Sequence, residues 1–180
     1  MSFSYDKRKL FHNFDFYLGG NERIWLSGPN GCGKTTLLKL IAGILSPAEG
    51  SISYASRLKI GYFQQDLSYL NTADIVIDSL RASYRDETYI RTLMGCIGLD
   101  NTIAQKSLRD LSWGEKAKVQ IMDLLLKKHN VLLLDEPTNH LDMKSRELLG
   151  NALNEYSGAL IFVSHDRAFI DQLCTREVKL

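Results

Sequence analysis

The stretch Gly28-Pro29-Asn30-Gly31-Cys32-Gly33-Lys34-Thr35 fits the pattern G-x-x-x-x-G-K-[ST] at every defined position. Its glycines let consecutive backbone N–H groups turn inward and form a nest for phosphate oxygens. Lys34 is placed to reach the β- and γ-phosphates of a nucleotide, and Thr35 to offer its hydroxyl to Mg2+. Thr36 can add a hydroxyl to the α-phosphate, and the N-terminus of a following helix favours the negative charge. The phosphate-holding set is then Gly28, Asn30, Gly31, Gly33, Lys34, Thr35 and Thr36, with no role for Cys32. The same letters also occur as a plain turn with a solvated lysine, so the flanks decide. Residues 22–27 read as a strand running into the turn, and Leu37, Leu38, Ile41 and Leu45 recur at helical spacing after it, up to Ser46-Pro47. Strand, glycine-rich turn and helix, in that order, are the setting in which such a loop binds phosphate.

The second half of a site lies at Val131-Leu132-Leu133-Leu134-Asp135-Glu136. An apolar strand buried in a parallel sheet delivers its last residues at the C-terminal edge, where ligands of open α/β sheets sit. Asp135 would hold Mg2+, directly or through water. Glu136 would stand next to the γ-phosphate and polarise an attacking water as general base. Without the phosphate loop, Asp-Glu after an apolar strand would read as a helix cap.

Farther out, Phe14, Phe16 and Leu18 alternate with polar neighbours and predict a strand ending at Gly19-Gly20; two short strands are expected near 51–54 and 58–63. Between 67 and 110 the apolar residues Ile75, Leu80, Ile90, Leu93, Ile97 and Leu99 predict short helices broken at Gly95 and Gly98. After Gly114 a helix carries Val119, Ile121, Met122 and Leu125 into the Val131 strand. A polar helix at about 143–156, a strand at Ala159–Val163, a helix from Asp166 and a last strand near Glu177 follow. Strands alternating with helices predict an α/β fold with a mainly parallel core sheet, into which the helical stretch is inserted.

Composition removes other classes. With 180 residues, 44% of them apolar, and a net charge of +1, the chain is long enough for one domain and is not disordered. No apolar run approaches the roughly 18 residues of a membrane span, and residues 1–6 lack the layout of a secretory signal. Near-neutral charge argues against a nucleic-acid or lipid surface, so neither DNA binding nor membrane insertion is expected, and Lys7-Arg8-Lys9 and Lys127-Lys128 read as solvated faces. Cys32, Cys96 and Cys174 are odd in number and widely spaced, which suits reduced thiols in a reducing, cytoplasmic setting. The four histidines show no metal-ligand spacing.

Taken in order, Gly28–Thr36, Leu111-Ser112-Trp113-Gly114-Glu115, Asp135-Glu136-Pro137-Thr138-Asn139-His140-Leu141-Asp142 and Val163-Ser164-His165-Asp166 resemble the motif set of an ATP-binding cassette (ABC) nucleotide-binding domain. Nearly the whole chain is covered. The 135–142 and 164–167 runs resemble the ABC-F branch, whose members are tandem-cassette ATPases acting on ribosomes, some of them conferring antibiotic resistance. The resemblance implies a single cassette over 1–180, with an N-terminal antiparallel β portion and a helical subdomain inserted at about 67–113. It implies ATP and Mg2+ as cofactors, a second cassette as partner, and a ribosome as a further one. The alternative is the ATP-binding motor subunit of an ABC membrane transporter; the short span between Gln65 and Ser112 leans towards ABC-F. No charged linker is present, so the chain reads as one excised cassette, the second of a pair, or as a truncated product.

Individual roles follow from the same resemblance. Gln65 matches the glutamine that contacts Mg2+ and the attacking water, with Gln64 as its rival. His165 matches the switch histidine that bonds the γ-phosphate and holds Glu136 and the water. Tyr5 would stack on adenine, with Phe11 as competitor. Ser112 and the backbone N–H of Gly114 would serve the ATP held by the opposite cassette, and Asp142 would signal across that interface. Trp113 stands where the family usually has glycine. It either strains the signature loop or turns its ring away onto a partner. One cassette alone is expected to bind ATP yet hydrolyse it poorly.

Overall fold

Every residue of the strand Val131–Asp135 is buried, as a strand covered by helices on both faces must be. The structure is a computed structural model that describes residues 2–5, 8–11 and 14–180, without the side chains of Ser4, Tyr5, Arg8, Lys9 and Phe11. Its elements run β1 (Phe3–Tyr5), β2 (Arg8–Phe11), β3 (Arg23–Ser27), α1 (Lys34–Ile41), β4 (Ile60–Phe63), α2 (Val76–Arg81), α3 (Glu87–Cys96), α4 (Trp113–Leu126), β5 (Val131–Asp135), α5 (Met143–Asn154), β6 (Ala159–Val163), α6 (Arg167–Leu173) and β7 (Arg176–Lys179). β1 and β2 form an antiparallel pair. The other five strands make one sheet in the order β4-β5-β6-β3-β7, parallel at every junction. This is the α/β architecture with a parallel core that the alternation of strands and helices predicts.

The period-two geometry of strands sorts the core into two layers. Val131 and Leu133 of β5, and Ala159, Ile161 and Val163 of β6, pack with Leu37, Leu38 and Ile41 of α1 on one face. Leu132, Leu134, Leu160 and Phe162 point the other way, onto α4, α5 and α6; the Phe162 and Phe169 rings meet edge-on at 5.7 Å. A third core gathers Val76, Leu80, Ile90, Met94 and Leu108 of the helical stretch. α4 serves both of these last two layers. Ala117, Ile121 and Leu124 face the sheet, while Val119, Met122 and Leu126 face the helical stretch; each set keeps the three-to-four-residue spacing of a helix stripe.

The structure corrects several element boundaries. Residues 14–19 form no strand. Phe14, Phe16 and Leu18 are half-buried against the α1 layer, and the two phenylalanine rings stack at 6.1 Å, so the alternation records side-chain burial without a hydrogen-bonded ladder. Residues 51–54 likewise form no strand: Ile52 packs on the same layer, and the Tyr54 hydroxyl donates to the Ile41 carbonyl at 3.1 Å. α1 stops at Ile41, before Ser46-Pro47, because Gly43 turns left-handed at φ 73°. Gly95 lies inside α3; only Gly98, at φ 68°, ends that helix, with Leu99 N–H returning to the Met94 carbonyl at 2.8 Å. No helix among the described residues is long and apolar enough to cross a membrane.

Candidate functional site

The turn joining β3 to α1 lies at the C-terminal edge of the sheet, beside the ends of β5 and β6. Gly28, Gly31 and Gly33 take φ of 143°, 78° and 110°, a region that side chains on Cβ disfavour. At Gly28 space forbids one as well, since a Cβ would stand 2.9 Å from both the Leu180 carbonyl and Cys32 Sγ. Gly33 caps α1 without a side-chain hydrogen bond, which leaves the N–H groups of the first turn free to point at an anion. The Lys34 ammonium is buried and donates to the carbonyls of Gly28 at 2.8 Å and Pro29 at 3.1 Å. Its charge is thereby anchored inside the loop.

Beneath the turn, the last residue of β5 presents Asp135, 2% exposed. Burial pushes its carboxyl above the usual range, opposed by the Thr35 hydroxyl and the charges of Lys39 and Lys34. Tyr62 of β4 shares that carboxylate, and burial with the neighbouring negative charge drives its phenol well up. Glu136 follows at φ 53°, a left-handed conformation that a non-glycine residue holds only where its surroundings demand it. Its N–H donates to the Val163 carbonyl at 3.0 Å, which locks the end of β5 onto β6. Burial raises the Glu136 pKa, and repulsion from Asp135 adds to this; His165 and Lys34 pull the other way. His165 Nε2 stands 3.2 Å from Glu136 Oε1, while the second carboxylate oxygen is buried with no hydrogen-bond partner.

These groups line one open cavity of about 650 Å3, which takes in Asn30, Gly31, Gly33, Lys34, Thr35 and Thr36 from the turn and helix. Gln65, Asp135, Glu136 and His165 complete it, and Gln64 is not on its wall. Residues far apart in sequence thus meet on one wall. Gly28 contributes through its carbonyl to Lys34 instead of lining the cavity. Tyr5 ends β1, but its side chain lies outside the described residues, as does that of Phe11. Sequence reasoning missed Leu10 and Asn139, which also line the cavity. Asn139 could have been found, standing three residues beyond Glu136 in a turn closed by its own N–H to the Glu136 carbonyl at 3.1 Å. Leu10 carries no sequence signal.

Ser112 and Gly114 do not reach this cavity. They line a separate cleft of about 510 Å3 with Trp113, His140 and Asp142. Ser112 caps α4: its hydroxyl accepts the Glu115 N–H at 3.2 Å while Glu115 accepts the Ser112 N–H at 2.7 Å, a reciprocal capping box. Gly114 has a steric reason to lack a side chain, because a Cβ there would meet the His140 carbonyl at 2.8 Å. Trp113 opens α4 with no positive φ, so the loop is not strained by it. Its ring lies beside His140 at 6.1 Å and remains 49% exposed. Asp142 caps α5 by accepting the Ser145 N–H at 2.7 Å, and that bond holds its carboxyl below the usual range.

A glycine turn over a buried lysine, a buried aspartate and a strained glutamate paired with a histidine is the geometry the motif set calls for. Residues 11–139 match the family described as ABC transporter. The chain belongs to the ATP-binding cassette family. It is 43% identical over 183 residues to the protein YdiF of Bacillus subtilis (strain 168), matching all of this chain and 28% of that protein. It is 37% identical over 188 residues to ABC transporter F family member 4 of Arabidopsis thaliana, covering 99% of this chain and 26% of that one. With the ribosome protection protein VmlR of Bacillus subtilis (strain 168) it shares 37% identity over 172 residues, 94% of this chain and 31% of that protein. Among solved structures, an RNase-L Inhibitor superposes with a TM-score of 0.75 at 30% identity, covering 88% of this chain and 32% of that one. The chain therefore resembles one cassette of ABC-F proteins, and spans about a quarter to a third of these three curated relatives.

Proposed function

We propose that this cassette binds Mg-ATP in the 650 Å3 cavity and hydrolyses it to ADP and phosphate when a second cassette pairs with it head to tail. The observation that carries this reading is the half-buried Glu136 carboxylate, held 3.2 Å from His165 on the same wall as Lys34 and Asp135. Lys34 and the helix-end amides would grip the triphosphate. Glu136 would take a proton from the attacking water, and His165 would keep carboxylate and water aligned. The hydroxyl of Thr35, the carboxylate of Asp135 and the amide of Gln65 are the hard oxygen donors that suit Mg2+. Among the described residues no group of three His, Cys, Asp or Glu could hold a metal unaided, so this donor set fits an ion shared with phosphates. Mg2+ bound there would neutralise phosphate charge.

Placement of Ser112 and Gly114 in a second cleft, away from the cassette's own phosphate loop, supports their use by a nucleotide on the opposite cassette. Work would then be conformational, with ATP favouring the closed pair and hydrolysis releasing it. The likeness to VmlR and to an F family member supports a role in an ABC-F translation factor or ribosome-protection protein of the cytoplasm. The test is a nucleotide titration joined to ribosome co-sedimentation. Mg-ATP should bind this chain, Lys34→Ala should abolish binding, and the parent protein should sediment with ribosomes when ATP is present. Unchanged affinity in Lys34→Ala would remove the phosphate-loop reading. A parent protein that stays with membranes and ignores ribosomes would remove the ABC-F one.

A further inference from the structure

Three hydrogen bonds converge on the residue before His165. The Trp25 indole N–H donates to the Ser164 carbonyl at 3.2 Å. The Ser164 hydroxyl accepts the Asp166 N–H at 3.1 Å and pairs with the Thr138 hydroxyl at 3.1 Å. Ser164 and Thr138 are each 3% exposed, so the bond between them is buried and the other two are part-buried, and loss of any would be felt. The His165 side chain, by contrast, is 67% exposed. Little packing holds the ring, which rests on its contact with Glu136 and on the backbone that carries it.

That backbone is fixed through one peptide group. A trans peptide is planar, with its carbonyl and N–H pointing opposite ways. Holding the Ser164 carbonyl therefore fixes the peptide that carries His165, whose ring Nε2 stands 3.2 Å from Glu136 Oε1. The Ser164–His165 peptide thus joins the Trp25 indole to the residue whose ring meets Glu136. Chain geometry explains why a tryptophan is needed. Trp25 sits opposite Phe162 in the β3–β6 register, and Ser164 lies two residues farther, about 6.6 Å along the strand direction. Only a long side chain with a donor at its far end spans that gap. The ring is half-buried against the α6 side of the sheet.

We infer that Trp25 is a positioning residue, whose indole N–H holds the Ser164–His165 peptide and through it the Glu136–His165 pair. The inference rests on the hydrolytic role proposed for Glu136. Trp25→Phe keeps most of the ring volume and removes the donor. ATP affinity and KM should stay within about twofold while kcat falls about 2- to 10-fold, the range one neutral hydrogen bond supplies. Midpoint of thermal unfolding should move little. A separate reading comes from the two indole N–H resonances of the 15N-labelled chain without nucleotide, assigned by loss of one in Trp25→Phe. Glu136→Gln should shift the Trp25 resonance and leave that of Trp113 in place. An unmoved Trp25 resonance overturns the inference even where turnover is too slow to measure. So does a fall in activity that merely follows lost folded protein. Full turnover by Glu136→Gln would instead overturn the role of Glu136, and the resonance test would still judge the contact by itself.

Discussion

Exchanging Glu136 for Gln changes almost nothing but charge. The side chain keeps its length, and its Oε1 contact to His165 at 3.2 Å can be kept by either end of the amide. Removal of a general base costs about 10²- to 10⁴-fold in rate, or about 3–5 kcal/mol of barrier. ATP affinity should hold or rise, because a negative charge leaves the neighbourhood of the triphosphate. Stability adds an independent check. Burial is the main reason the Glu136 pKa is raised, so the folded state prefers the protonated form. Its stability contribution is complete below the ordinary glutamate pKa and is lost as pH rises through the raised value. In chelator and without nucleotide, Glu136→Gln should therefore gain in unfolding midpoint over the parent as pH climbs from about 4. Single-turnover hydrolysis, a nucleotide titration and a pH series of melts read the three effects. Binding that falls as far as hydrolysis, or a melting difference that shrinks with rising pH, would refute the general-base role of Glu136.

Three further outcomes are expected. Leu133→Ala removes a side chain with no exposure from the α1 layer and should cost about 2–5 kcal/mol in urea unfolding, whereas Tyr17→Ala, 77% exposed, should stay within about 0.5 kcal/mol; equal losses would misplace the core. Gly114→Ala puts a Cβ 2.8 Å from the His140 carbonyl and should cost about 1–3 kcal/mol by overpacking, with cassette pairing weakened in sedimentation; an unchanged melt would show that the 137–142 turn gives way freely. Trp113→Gly loses the contact to His140 at 6.1 Å and about 0.5–1 kcal/mol of helix stability, while ATP affinity of the cassette's own loop should not change in a titration. Altered affinity there would link two clefts that the structure keeps apart.

Local chemistry made much of this protein legible in the letters alone. Glycine is favoured where φ is positive, so Gly28, Gly31 and Gly33 before Lys34 announce a phosphate nest wherever a strand and helix flank them. A run of apolar residues closed by Asp135-Glu136 announces a buried strand with carboxylates at its end, and period-two and period-3.6 spacing place most elements of the sheet and its helices. Alternation at 14–18 misled for the same local reason: burial of one side imitates a strand whether or not a partner supplies hydrogen bonds. What tertiary structure alone decides is distance between remote segments. That Leu10 reaches the cavity and Ser112 is kept from it is set by how β2 and α4 pack around the sheet; that His165 meets Glu136 and that Trp25 grips Ser164 across the β3–β6 register follows from strand order and pleat. Neither is encoded in any single stretch, because a parallel sheet joins its neighbours through connections that spacing along the chain does not measure.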